Sequence, residues 1–256
     1  MSLHVETHGR GEPLLLIHGW GMHGGVWDNL VPRLAERFQV LVVDLPGHGR
    51  SPTGGDGSLD NIVSTFTAEF PEALNVCGWS LGGQIALRWA ALYPAQIKQM
   101  VLVCSTPCFA ERDDWLFGME AATLQKFAAE LEQNHTATLR RFLALQLRGS
   151  EQERELLAQL RARLFAHGEP DLAALRSGLE ILRDADLRPL LPEILQPTLA
   201  IAGERDKLTS PVASYYLAQS MPNAQVVEID GAAHAPFLSH SDIFIEHMTN
   251  FLHERI

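Results

Sequence analysis

The chain has 256 residues, 46% of them hydrophobic and 20% charged, a balance that fits a globular protein with a sizeable core and excludes a disordered or fibrous one. Its formal charge of -11 argues against general binding to nucleic acid or to an anionic membrane, which call for a basic footprint. No stretch reads as a signal peptide and no apolar run is long enough to cross a bilayer, so a soluble, cytoplasmic protein of one domain with an insertion is expected.

A short strand over 3–7 comes first. The apolar run 13–18 then reads as a buried strand and ends in Gly19-Trp20-Gly21. Residues 26–38 have helical spacing, 39–44 form a second buried strand, and the turn 45–51 leads to a helix over 58–70. Disorder is confined, at most, to the glycine-rich stretch 53–57. A buried strand over 73–77 runs into Gly78-Trp79-Ser80-Leu81-Gly82-Gly83, followed by helical spacing over 84–92 and a strand over 99–104. Buried strands alternating with amphipathic helices imply right-handed crossovers and a mostly parallel sheet covered on both faces.

The alternation stops after Cys108. Helical patterns cover 119–132, 137–147, 152–165 and 172–182 without a convincing strand, which predicts an all-helical cap over 110–185. The α/β core is then 1–109 with 186–256, completed by strands over 197–202 and 225–229 and helices over 212–220 and 241–252. Cys77, Cys104 and Cys108 have no metal-like spacing to a histidine and read as reduced packing residues.

Ser80 lies between glycines after a strand and before a helix, the setting of a nucleophile elbow. Gly78 and Gly82 stand where a side chain would crowd the turn, which lifts the Ser80 hydroxyl clear of the sheet edge. The Leu81 N–H, an orphan donor at the helix start, points to half of an oxyanion hole, and the Trp20 N–H in the loop after the first buried strand is the other expected donor. A serine nucleophile needs a base and a group that orients it. Asp206 follows the strand 197–202, and His234 follows the strand 225–229. Glu204 is a second carboxylate two positions before Asp206, and ten other histidines compete with His234. His18 reads as a structural brace. The Trp20 side chain either walls the acyl pocket or packs under the cap.

With Leu16-Ile17-His18-Gly19-Trp20-Gly21, Val43-Asp44-Leu45-Pro46-Gly47-His48-Gly49-Arg50-Ser51, the serine motif and Ala232-Ala233-His234-Ala235-Pro236-Phe237 in order, the chain resembles the α/β-hydrolase superfamily over its full length. More narrowly, it resembles the pimeloyl-[acyl-carrier protein] methyl ester carboxylesterases of biotin synthesis. The narrower pointers include Cys104-Ser105-Thr106-Pro107-Cys108-Phe109, Arg141-Phe142-Leu143-Ala144-Leu145-Gln146 and Gly178-Leu179-Glu180-Ile181-Leu182.

That resemblance implies a serine esterase that cleaves the methyl ester of a pimeloyl chain, using Ser80, Asp206 and His234, with no metal or organic cofactor. It implies that Phe142, Leu143, Ala144, Leu145 and Gln146 line an acyl tunnel, although the same helix face also reads as ordinary cap core. The implied partner is an acidic acyl-carrier protein, met by a monomer through Arg140, Arg141 and Arg154. Residues 136–165 hold six arginines (140, 141, 148, 154, 161, 163) against three glutamates (151, 153, 155), +3 in a chain of -11, although Arg154, Arg161 and Arg163 also read as helix-face charges. Ala137 and Ala158 stand where further arginines are expected, and Arg148 and Arg161 are available to compensate. A general short-chain esterase, a thioesterase or a carbon–carbon bond hydrolase would use the same triad. A hydrolase fold serving as a binding protein is the rival from outside enzymes.

Overall fold

The computed structural model describes residues 2–150, 153–164, 166 and 168–253, without the side chains of Arg163 and Leu164. Gln152 and Phe165 of the helix expected over 152–165, together with Glu151 and the Arg163 side chain, lie outside the described residues.

Seven strands form one sheet: β1 (Val5–His8), β2 (Glu12–Ile17), β3 (Phe38–Val43), β4 (Leu74–Trp79), β5 (Ile97–Val103), β6 (Thr198–Gly203) and β7 (Ala224–Ile229). Their order is β1-β3-β2-β4-β5-β6-β7, with β1 antiparallel to β3 and every other pair parallel. All six residues of β4 and of β6 are buried, as expected of central strands sandwiched between helices. The helices are α1 (Val31–Leu34), α2 (Leu59–Glu69), α3 (Leu81–Leu92), α4 (Ala121–Gln133), α5 (His135–Leu147), α6 (Glu153–Leu164), α7 (Leu172–Asp184), α8 (Pro211–Ser220), α9 (Pro236–Ser239) and α10 (Ser241–His253). This is the α/β-hydrolase arrangement.

The expected helix over 26–38 is replaced by a single 3-10 turn, Gly24–Trp27, and the one-turn α1. Pro32 lacks a donor and restricts the residue before it, so a helix continuing through it is disfavoured and α1 starts beside it instead. The stretch 53–57 is a built turn rather than a disordered one. Asp56 Oδ1 accepts from the Ser58 N–H and hydroxyl, and Ser58 in turn caps α2 by accepting from the Asn61 N–H.

Helices α4 to α7 enter between β5 and β6 and roof the end of the sheet where the parallel strands finish. Their starts are capped locally: Asn134 accepts from the Ala137 N–H, and Asp171 from the Ala173 and Ala174 N–H groups. They do not form a separate core. Leu124, Leu139, Phe142, Leu175 and Leu182 belong to the same contiguous apolar cluster as Trp20, Trp79 and Leu81. Backbone bonds stitch the helices to the sheet's loops, Asp171 N–H to Gly47 C=O at 2.8 Å and His234 N–H to Gln146 C=O at 3.0 Å, and where the chain re-enters the core Leu187 N–H donates to Pro107 C=O at 2.8 Å. Among the described residues no helix is long and apolar enough to cross a membrane.

Candidate active site

At the end of β4 the chain turns through Ser80 with φ +54° and ψ -115°, a conformation that costs a non-glycine residue about 1–3 kcal/mol. The neighbours hold it there. The Ser80 N–H donates to the Val103 carbonyl, while its own carbonyl accepts from the Gly83 N–H and the Ser105 hydroxyl, each at 2.9 Å. The two flanking glycines are a steric requirement. A Cβ on Gly78 would stand 2.4 Å from the Gly82 carbonyl oxygen, and one on Gly82 would stand 2.5 Å from that of Ile17.

Asp206 and His234 meet beside Trp79, the last residue of β4, both buried, with Nδ1 of His234 2.8 Å from Asp206 Oδ2. Asp206 Oδ1 also accepts from the Leu208 and Thr209 N–H groups at 2.8 and 3.0 Å. The Thr209 hydroxyl lies 2.7 Å from Oδ2 and 2.9 Å from the Cys104 carbonyl, so its one proton has two acceptors. Burial opposes ionisation of Asp206, but the charge and hydrogen bond of His234 and the bonds from Thr209 outweigh it and hold the carboxyl below its ordinary value. Glu204 points elsewhere. It accepts from the Gly231 N–H at 2.7 Å and is half exposed.

His234 is fixed from three sides. Its N–H donates to the Gln146 carbonyl of α5, its carbonyl accepts from the Trp79 indole at 2.8 Å, and Nδ1 faces Asp206. Its Nε2 is buried and has no hydrogen-bond partner among the described residues. With Nδ1–H held by a carboxylate, Nε2 carries a free lone pair, the state needed to accept a proton. Thr209, Trp79 and the Gln146 carbonyl are not apparent from the sequence. The only local signal for Thr209 is a hydroxyl residue three positions after an aspartate in a turn.

The Trp20 and Leu81 amides have no acceptor among the described residues. The loop carrying Trp20 is pressed against the turn, since a Cβ on Gly19 would lie 3.3 Å from Ser80 Cβ. His18 braces that loop. Its Nδ1–H donates to the Gly19 carbonyl at 2.8 Å and Nε2 accepts from the Leu45 N–H at 2.9 Å. Burial above all, then the neighbouring His48, pushes its pKa down to about 3, so it stays neutral. The Trp20 side chain packs under the cap, donating to the Leu175 carbonyl at 2.9 Å and meeting Phe142 edge-on at 4.8 Å.

Phe142, Leu143 and Gln146 are buried and Ala144 and Leu145 half-buried, and through Phe142 against Trp20 and the Gln146 carbonyl on the His234 N–H this segment of α5 packs on the loops that carry both residues. Gln146 Oε1 is buried without a partner among the described residues, a polar atom directed neither to solvent nor to a bond. On the outer side, Arg140, Arg148, Arg154 and Arg161 are exposed, and Arg141 donates to Glu130 at 2.7 Å. All three cysteines are buried free thiols. Burial raises the Cys77 and Cys104 thiols well above their ordinary range, so neither is a thiolate nucleophile.

Residues 12–241 match the family described as alpha/beta hydrolase fold. A pimeloyl-[acyl-carrier protein] methyl ester esterase from Nitrosomonas europaea is 45% identical over 244 residues, covering 95% of this chain and 97% of that one. One of the same name from Methylococcus capsulatus is 43% identical, covering 100% and 99%. Among solved structures, an esterase from Exiguobacterium antarcticum superposes with a TM-score of 0.88 at 20% identity, covering 97% of this chain and 94% of that one, a likeness of fold.

Proposed function

This chain belongs to the α/β-hydrolase family and, within it, to the pimeloyl-[acyl-carrier protein] methyl ester esterases, and we propose that Ser80, His234 and Asp206 carry out its reaction. It is a carboxylic ester hydrolase that converts the methyl ester of the carrier-bound pimeloyl chain to the free carboxylate, in biotin synthesis, releasing methanol. Ser80 Oγ attacks the ester carbonyl as His234 Nε2 takes its proton. The Trp20 and Leu81 N–H groups receive the developing oxyanion, and the imidazolium, steadied by Asp206, returns the proton to the departing methoxide. Water repeats the sequence on the acyl-enzyme, giving the carboxylate and restoring the Ser80 hydroxyl. The observation that carries this reading is the buried 2.8 Å Asp206–His234 pair with Nε2 left unpartnered.

The acyl chain lies under Phe142, Leu143, Ala144, Leu145 and Gln146, and the acidic carrier docks on Arg140, Arg141 and Arg154, with Arg148 and Arg161 beside them. The Arg141–Glu130 pair does not oppose this: exposed pairs are worth about 0.2–1 kcal/mol, so a carrier carboxylate can replace Glu130. The protein acts as a monomer in the cytoplasm.

A fluorophosphonate probe tests the nucleophile. It is expected to label Ser80 alone and to leave Ser80→Ala unlabelled, and Asp206→Asn is expected to lower kcat about 10,000-fold by losing the tautomer control of His234. Labelling at another residue, or none, would return the fold to a binding role.

A further inference from the structure

For His234 to act as a base, the proton it shares with Asp206 has to stay on Nδ1, and the imidazolium formed during attack has to give its Nε2 proton up again. Both depend on how strongly Asp206 Oδ2 attracts a proton. The two oxygens of that carboxyl are held differently. Oδ1 takes the Leu208 and Thr209 main-chain N–H groups, which almost any residues at those positions would supply. Oδ2, the oxygen that faces His234, takes a side-chain hydroxyl, that of Thr209, at 2.7 Å.

That hydroxyl is buried and tightly placed. Its oxygen stands 2.7 Å from Asp206 Oδ2, 2.9 Å from the Cys104 carbonyl oxygen and 3.3 Å from His234 Nδ1, so it closes a triangle with the acid and the base. While Asp206 is ionised its oxygen is the stronger acceptor, and the single Thr209 proton lies toward Oδ2. The Cys104 carbonyl is the alternative acceptor on the hydroxyl's other side.

The backbone at Cys104 is an independent sign that this corner is built for a purpose. Among the described residues only two that are not glycine have positive φ: Ser80, and Cys104 with φ +42°. Such strain persists only where the surroundings over-determine it, and it gathers at functional sites. Here the Cys104 N–H donates to the Ile201 carbonyl of β6 at 2.8 Å, its carbonyl meets Thr209 of the acid loop, and its thiol donates to the Ala233 carbonyl, next to His234, at 3.7 Å. One strained residue at the end of β5 thus ties together the strand before the acid, the loop that carries the acid and the loop that carries the base.

The ionisable groups around Oδ2 are few. The Cys104 thiol stays protonated through burial and the Asp206 charge. On the acid loop, Glu204 turns to the Gly231 N–H, Arg205 reaches out to the Gly149 carbonyl and Lys207 is exposed. From β4 and α5 the pair meets the Trp79 indole and the Gln146 carbonyl, neither of which titrates. A hydroxyl donor on the carboxylate therefore has no nearby charge to compensate for its loss. Each bond that a carboxylate accepts from elsewhere weakens its pull on a neighbouring proton. We propose, on the esterase reading above, that Thr209 is a positioning residue of the reaction: held at the strained Cys104 carbonyl, its hydroxyl donates to Asp206 Oδ2, leaves the shared proton on His234 Nδ1 and sets the pH above which Nε2 works as a base.

The test compares Thr209→Val, which keeps the shape and both main-chain bonds to Oδ1 but removes the donor, with Thr209→Ser, which keeps it. The readout is the pH dependence of kcat/KM for p-nitrophenyl acetate, which reports the ionisation of the free enzyme. Each profile is normalised to its own plateau and taken above the pH at which that variant unfolds, so a general loss of activity or stability does not enter. In Thr209→Val the acid limb is expected to move up by at least about half a pH unit, making the normalised kcat/KM below the limb about threefold lower than in the natural protein. Thr209→Ser is expected to keep the natural limb. A limb that stays in place in Thr209→Val, or that moves as far in Thr209→Ser, overturns the assignment while leaving the esterase standing. Hydrolysis that persists in Ser80→Ala overturns the esterase reading, and the role of Thr209 with it.

Discussion

Burial lowers the proton affinity of His18 and His48 together, and this ties the loop beside Ser80 to pH. In the unfolded chain both rings titrate near 6.5; in the folded protein His18 does so only near 3. Between those values the unfolded state binds more protons at His18, so stability falls as pH falls, by up to about 1.4 kcal/mol per pH unit, and His48, also lowered by burial, adds in the same direction. Asp206, whose carboxyl is depressed in the fold, adds to the loss only further down, below its ordinary value. Urea titrations from pH 7 to pH 4 are expected to show this slope, and His18→Asn is expected to reduce it by one ring's share. A slope unchanged by that substitution would remove His18 from the account. The bracing role of His18 is legible in the local sequence, but its partners are not: they include Leu45, 27 residues away, and His48.

At the level of elements, the strand, turn and helix around Ser80 are legible because their demands are local. Two glycines mark where main chain meets main chain, and the apolar runs on either side have the right periods. Gly82→Ala is expected to destabilise the protein by about 1–3 kcal/mol or more, read from the urea midpoint, because its Cβ meets a backbone carbonyl that cannot move like a flexible side chain. An unchanged midpoint would mean that β2 and the turn are less tightly apposed than described. The segment 26–38 shows the limit of such reading. Its apolar spacing suits a helix, but Pro32 and the packing of Val26, Trp27 and Leu30 into the core divide it into two short turns. Similarly, the glycines of 53–57 suggest looseness, whereas Gly55 and Gly57 have positive φ and abut Asn61 and Ser177, contacts that only tertiary structure reveals.

Across the whole molecule, charge is unevenly spread. The chain is strongly acidic, yet α5, the residue after it and α6 present exposed arginines at 140, 148, 154 and 161. An acidic carrier is drawn to that face, and the attraction is screened as salt shortens the Debye length from about 10 Å at 0.1 M to about 3 Å at 1 M. The excess of arginine over 136–165 is visible in the sequence. That Arg141 is engaged by Glu130 is visible only in the fold. The most direct measurement is methanol release from the carrier-bound pimeloyl methyl ester at 0.05 and 0.5 M salt, by the natural protein, Ser80→Ala, and Arg140→Glu with Arg154→Glu. Release that vanishes in Ser80→Ala, and whose kcat/KM falls at least about tenfold both with salt and with the arginine reversals, is the predicted result. Release that persists in Ser80→Ala would contradict the account.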